Sequence, residues 1–254
     1  MATFVLVQGA WIGSWYWKYV RQRLQKAGHD VFTPTLTGLA DRSHLLTRDV
    51  NLDTHISDIV NLIRWEELSD VVLCGHSYGG CVITGVADRI PDRIRALVYL
   101  HAFVLEDGEN LVQHVPQEQL NQLMEGARTF GEGWKVPPIP PEVFRVQNST
   151  DAEWMKRQYT MHPLACFEQR IKLSGKVEQI KNVTYILAGS FVEGSPFPPF
   201  HEKAKAKGWK TLTMAGGHIL MLDQPDELSR ILQQIAADQP ARSSADTLRG
   251  SINN

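Results

Sequence analysis

Residues 71–79 run Val-Val-Leu-Cys-Gly-His-Ser-Tyr-Gly, an apolar stretch that breaks at once into Gly75-His76-Ser77-Tyr78-Gly79. A G-x-S-x-G pattern at the end of a strand limits what can surround it. A serine in so tight a strand-to-helix turn is forced into a strained backbone conformation, with its hydroxyl exposed at the top of a sheet. The flanking glycines are required because a Cβ at either place would strike the neighbouring strand or helix. Residues 80–89 continue with helical character, so Ser77 reads as a nucleophile rather than a chance match.

The order of elements agrees. Thr3 to Gln8 reads as a strand, and Trp15 to Ala27 as a helix with Val20, Leu24 and Ala27 on one face. Asp30 to Thr35 is strand-like, and Leu52 to Trp65 carries apolar residues at 52, 56, 59, 60 and 63, the spacing of an amphipathic helix. The elbow strand follows, then a helix to about Ile90 and a continuous apolar strand from Ile94 to Leu100. Val183 to Ala188 and Thr211 to Met214 read as strands, with helices around Phe200 to Lys207 and Glu227 to Ala237. Strands alternating with helices imply an α/β fold: a mostly parallel sheet, right-handed crossovers and helices on both faces. Reactive groups in such sheets gather at the carboxyl ends of the strands. Ala10, Ser77, His101 and His218 each lie at or just after such an end.

Residues 105–180 break the rhythm, with Pro137-Pro138-Ile139-Pro140-Pro141 and no clear sheet strand. An excursion this long is expected to form a cap over the site. The expected organisation is therefore a core of 1–104 and 181–237, a cap of 105–180, and a loosely ordered tail of 238–254. The cap aromatics Phe130, Trp134, Trp154, Tyr159 and Phe167 either line an apolar pocket or bury the cap against the core.

Length and composition narrow the class. The 254 residues suit one large domain, and a net charge of −2 gives no reason to expect a nucleic-acid partner. No apolar stretch approaches the roughly 20 residues that span a bilayer, so no membrane is expected. The N-terminus lacks a basic leader and reads as a first strand. Three cysteines without a CxxC argue against disulfides and zinc and favour a cytoplasmic setting. No metal or nucleotide motif is present, so no cofactor is expected. The expected partner is a small apolar or aromatic molecule, and a homodimer stays open.

A serine hydroxyl needs a base in reach. Of nine histidines, His218 is best placed: it follows the last short strand in Ala215-Gly216-Gly217-His218 and comes late enough for the chain order nucleophile, acid, histidine. His76, beside the nucleophile, reads as structural. The oxyanion of acyl transfer needs backbone N–H donors. One is expected from Tyr78, the other from Ala10, with Gly9 letting the chain turn so that the Ala10 amide faces the elbow.

The stretches Phe4 to Trp11, Gly38 to Leu45, Gly75 to Gly80 and Gly217-His218 resemble the small α/β-hydrolases of the plant methylesterase, hydroxynitrile lyase and bacterial pyrethroid-esterase group. The likeness runs over most of 2–237 and is weakest in the cap. It implies an eight-strand-type sheet with an inserted cap and a Ser-His-acid triad. Ser77 would be nucleophile, His218 base, and Ala10 and Tyr78 oxyanion donors. Three positions depart from the pattern. Gln8 stands where a histidine is usual. Residues 189–196 hold no aspartate, and Leu100-His101-Ala102-Phe103 has histidine where the bacterial relatives carry the acid. Glu193 is the nearest substitute carboxylate in chain order; Glu106, Asp107 and Asp223 are worse placed. His101 could instead hydrogen-bond His218 or a substrate, and Trp11, His101, Phe103 and Trp134 are the expected substrate contacts.

The function these residues point to is hydrolysis of an ester, lactone or thioester of a small apolar substrate through an acyl-enzyme at Ser77. The alternatives are a cofactor-independent lyase or cyclase of natural-product metabolism that uses His218 as base, and a non-catalytic binding protein on the same scaffold. Hydroxynitrile lyases of the group carry a lysine after the catalytic histidine. Here that residue is Ile219, which argues against cyanohydrin cleavage.

Overall fold

A computed structural model describes residues 1–238. The strands are β1 (Thr3–Val7), β2 (Asp30–Phe32), β3 (Val71–His76), β4 (Ile94–Leu100), β5 (Lys135–Val136), β6 (His162–Pro163), β7 (Val183–Ala188) and β8 (Lys210–Met214). The helices are α1 (Lys18–Lys26), α2 (Leu52–Trp65), α3 (Gly79–Arg89), α4 (Gln117–Phe130), α5 (Ser149–Gln158), α6 (Ala165–Glu168), α7 (Pro198–Ala206), α8 (Leu220–Asp223) and α9 (Pro225–Ala237). The main sheet is parallel throughout, in the order β2-β1-β3-β4-β7-β8. It holds six strands among the described residues, not the eight that the resemblance implies. The other two, β5 and β6, form a short antiparallel pair between β4 and β7, where the sequence shows no strand signal. At two residues each, they are too short to carry an alternating pattern.

The strands are continuous apolar runs because both faces of the sheet are covered. Val5, Val7, Leu73 and Leu97 pack with Ile56, Ile59 and Val82 of α2 and α3. Phe4, Leu6, Val72 and Val98 pack with Val20 and Leu24 of α1 and Leu228 and Leu232 of α9 on the other side. Local signals set the helix limits. Asn51 caps α2 by accepting from the Thr54 amide, and the Thr54 side chain accepts in return from the Asn51 amide. Such a box satisfies two donors the helix leaves free, and removing a cap of this type costs about 1 kcal/mol. The helix expected from Trp15 begins instead as a 3-10 turn over Ser14–Trp17. Strand β2 is shorter than expected, ending at Phe32.

Residues 105–180 contain α4, α5, α6 and the β5–β6 pair. Their aromatics divide. Phe167 is buried, Trp154 packs edge-on against Trp15 of the core at 4.8 Å, and Phe130 is exposed. No described helix is long and apolar enough to cross a membrane. The expected tail lies, beyond Asp238, outside the described residues.

Candidate active site

The turn between β3 and α3 has the geometry the motif demands. Ser77 adopts φ 54°, a conformation costing a non-glycine residue about 1–3 kcal/mol. The surroundings hold it there. The Ser77 amide donates to the Leu100 carbonyl at 3.3 Å, and the Ser77 carbonyl accepts from Gly80 at 3.0 Å and Phe103 at 3.2 Å. A Cβ at Gly75 would come within 2.5 Å of the Gly79 carbonyl oxygen, and one at Gly79 within 2.5 Å of the Gln8 carbonyl oxygen. Both flanking glycines are therefore demanded by close backbone approach.

The loop after β1 meets the elbow from the other side. A Cβ at Gly9 would lie 3.1 Å from the Ser77 Cβ, so Gly9 serves contact rather than turning. The turn itself falls on Trp11, at φ 66°. Trp11 is tied to the cap: its amide donates to His162 Nδ1 at 3.3 Å, its indole N–H to the Val136 carbonyl at 3.0 Å, and its carbonyl accepts from Thr160 at 3.0 Å. Neither the Ala10 nor the Tyr78 amide donates to another group among the described residues. Two unspent N–H groups on either side of a serine hydroxyl are what an oxyanion requires. The Tyr78 ring is anchored through its hydroxyl to His55 Nδ1 at 2.9 Å, while His55 Nε2 donates to the Thr37 carbonyl at 2.9 Å.

His218 stands on the loop after β8. Asp223 holds this loop, its carboxylate accepting from the Gly217 amide at 2.8 Å and the Gln147 amide at 3.0 Å. The His218 amide donates to the Phe144 carbonyl at 2.9 Å. A directed chain of hydrogen bonds joins the two loops through the core. The Gly9 amide donates to the Tyr16 hydroxyl at 3.1 Å, the hydroxyl to His76 Nδ1 at 3.0 Å, and His76 Nε2 to the His218 carbonyl at 2.9 Å. A carbonyl can only accept, which fixes His76 as the neutral Nε2–H tautomer and sets the direction of every bond before it. Burial pushes the His76 pKa down to about 4. His76 thus has the structural role expected of it, whereas the part of Tyr16 has no sequence signal, lying in a 3-10 turn with no periodicity.

Ser77 and His218 line one cavity of about 520 Å³, with Ala10, Trp11, Tyr78, Phe103, Phe144, Phe167, Phe191 and Phe197 around them and Glu118, Gln119 and Gln122 of α4 toward one side. Two larger cavities, at Arg64–Lys176 and beside Trp209, do not reach Ser77. No hydrogen bond joins the Ser77 hydroxyl to the His218 ring among the described residues, a common state for catalytic pairs without substrate. Burial, and then the neighbouring His76 and His101, hold the His218 pKa well below that of a free imidazole.

Three expected contacts fall elsewhere. Glu193 is exposed, and His218 Nδ1 is buried without any hydrogen-bond partner, so Glu193 does not complete a triad in this structure. Its loop extends past Phe191 toward α4, where the Gly194 carbonyl accepts from Gln119. Trp134 lies outside the cavity, half-buried between the cations of Arg48 and Lys135 at 5.3 and 4.9 Å from its ring. His101 is fully buried and packs behind His218, ring centroids 5.1 Å apart, out of reach of a substrate. Trp11 and Phe103 do line the cavity. Glu106 pairs with Lys203 at 2.8 Å, and Asp107 accepts from the Leu173 amide at 2.8 Å, both away from the site.

One cluster invites a metal, His55, His162 and Cys166, whose ligand atoms lie within 4.8 Å of one another. Its protons are arranged otherwise. His162 Nδ1 accepts from Trp11, leaving the ring proton on Nε2, where a ligand would need a lone pair. His55 Nδ1 accepts from Tyr78, and burial pushes the Cys166 thiol up to about 12. The donor set does not fit a cation.

Comparison with known proteins agrees with this architecture. The model of the alpha/beta hydrolase family matches residues 4–231. A carbendazim hydrolyzing esterase of Nocardioides sp. (strain SG-4G) is 43% identical over 240 residues, covering 91% of this chain and 98% of that esterase. An alpha-hydroxynitrile lyase of Arabidopsis thaliana is 31% identical over 130 residues, 51% of this chain and 48% of the lyase. Among solved structures, an extracellular alpha/beta-hydrolase from a Paenibacillus species superposes with a TM-score of 0.81 at 24% identity, over 92% of this chain and 99% of that one. With a family match spanning nearly all the described residues and a relative this similar along its whole length, the chain belongs to the alpha/beta hydrolase family.

Proposed function

We propose that the protein is a carboxylic ester hydrolase acting on a small, largely apolar substrate through an acyl-enzyme at Ser77. The observation that carries this reading is the strained Ser77 between two unspent amides, those of Ala10 and Tyr78, with His218 on the same cavity wall. The Ser77 oxygen attacks the ester carbonyl as His218 Nε2 takes its proton. The two amides stabilise the oxyanion, the imidazolium protonates the leaving alkoxide, and water repeats the sequence to free the acid. The aromatic lining of the cavity suits an acyl or alcohol group with an apolar ring, and the esterase relative, named for carbendazim, supports a substrate of that kind. Every group in this scheme comes from the protein, which is the reading that favours cofactor independence. Three buried free cysteines support a reducing, cytoplasmic setting. His218 is followed by the buried Ile219, which supplies no ammonium for cyanohydrin chemistry.

The test is a stopped-flow experiment with a nitrophenyl ester. An acyl-enzyme releases a burst of nitrophenolate approaching one per active site before steady turnover, provided deacylation is the slower step. Single-turnover quench at high enzyme, showing free acid with no enzyme-bound acyl group at any time, would overturn the reading.

A further inference from the structure

The third member of a serine-histidine site normally accepts the proton on the far nitrogen of the imidazole, so that the near nitrogen is bare and able to take the serine proton. In this protein that far nitrogen, His218 Nδ1, is buried and has no partner. The rings of Phe144, Phe191 and Phe197 lie 5.0, 5.5 and 5.0 Å from its own, centroid to centroid, and none offers an acceptor in its plane. His76 spends both nitrogens elsewhere, on Tyr16 and on the His218 carbonyl. The remaining neighbour is His101.

The state of His101 follows from its bonds. At φ 45° after β4, its amide donates to the Ile186 carbonyl at 2.7 Å, which fixes the backbone against β7. Its Nδ1 accepts from the Ala188 amide at 2.9 Å. An amide N–H only donates, so Nδ1 is bare and the ring proton sits on Nε2. Nε2 is buried and closes no hydrogen bond. His101 thus packs against the His218 ring with its one bare nitrogen already spent on the Ala188 amide, and offers His218 no acceptor.

A proton on His218 Nδ1 would be a buried donor with nowhere to go, at a cost of about 1–3 kcal/mol. A bare Nδ1 costs less, because a buried acceptor without a partner is tolerated better than an orphaned N–H. We infer that His101 acts as a positioning residue that keeps resting His218 in the Nε2–H tautomer, its proton directed into the cavity and its basic nitrogen turned away from Ser77. This deepens, and rests on, the reading of Ser77 as nucleophile. Before His218 can accept the serine proton, one proton must be lost at Nε2 and one gained at Nδ1, with no net change in charge. Only the minority of rings in that second form start the reaction. The device therefore favours esters with good leaving groups, for which nucleophilic attack needs little help from the base, and it disfavours simple alkyl esters.

The test reads the tautomer directly. Protein labelled with 15N in its histidine rings is examined by long-range proton–nitrogen correlation, with His218 assigned by comparison with His218→Gln. The expected result is a protonated Nε2 and a bare Nδ1 in the resting wild type. In His101→Asp, a carboxylate replaces the ring that packs against His218, and His76 is the other titratable group acting on His218. There the proton should move to Nδ1, kcat for an alkyl ester should rise about tenfold or more with little change in KM, and the acid limb of kcat should shift to higher pH. A resting wild-type ring protonated at Nδ1 would overturn the inference, and because it is read on the wild type this holds even if the variant fails to fold. The nitrophenolate burst on the same wild-type sample reports the acyl-enzyme separately, so failure of that reading is distinguishable from failure of this one.

Discussion

Replacing Ser77 with alanine is expected to lower kcat/KM for a nitrophenyl ester by about four orders of magnitude, leaving only what the oxyanion amides and the cavity supply. The reason is specific to this turn. The Ser77 hydroxyl lines the same cavity as Ala10 and Tyr78, whose amides are unspent, and the three cysteine thiols are all buried. Alanine can occupy the same strained backbone, since the bonds from Leu100, Gly80 and Phe103 are to the main chain of residue 77. The melting temperature should therefore stay within a few degrees of wild type while activity collapses. Retained activity in a folded Ser77→Ala protein would show that the chemistry lies elsewhere.

Acid should unfold this protein early. His55, His76, His101, His162 and His218 are all buried and neutral, and burial is the leading cause of the lowered pKa of each. In the unfolded chain each would titrate near 6.5. A group whose folded pKa is depressed binds protons more readily when unfolded, so its stability contribution is whole above pH 6.5 and falls away as pH drops toward the folded value. For His76, with a folded pKa of about 4, that is a loss of about 3 kcal/mol by pH 4. The other four add to it in the same direction, against a total stability of about 5–15 kcal/mol for a typical domain. The raised carboxyls of Asp151 and Asp223 work the opposite way, but lower on the pH scale. Urea midpoints measured between pH 7.5 and 4.5 should fall steeply below 6.5. A flat profile across that range would contradict the account of neutral buried histidines.

The sequence was most informative where chemistry and backbone geometry coincide. The limits of β4, β7 and α2 are readable from apolar runs and spacing, because burial on two faces or on one stripe leaves a plain periodic trace. That Ser77, Tyr78, Ala10 and His218 meet at one cavity is legible because a strained turn and close backbone approach demand particular residues nearby. The substrate contacts were less so. Trp134 and Phe167 are both cap aromatics, and nothing in their spacing says that one lies between two cations and the other lines the cavity. Chain order alone points to Glu193, yet the loop after β7 carries it into solvent. The gap this leaves behind His218 is filled by His101, whose proton position depends on a bond to Ala188 that lies 87 residues away. No local pattern reports such a contact.

The central claim, an acyl-enzyme at Ser77, is most directly tested by quenching the enzyme with acid during turnover of a nitrophenyl ester and mapping the adduct by peptide mass spectrometry. The account predicts a mass increase of one acyl group on the peptide spanning Gly75 to Gly80, located to Ser77 on fragmentation and absent in Ser77→Ala. An acyl group found on another residue, with Ser77 unmodified at every time point, would contradict it.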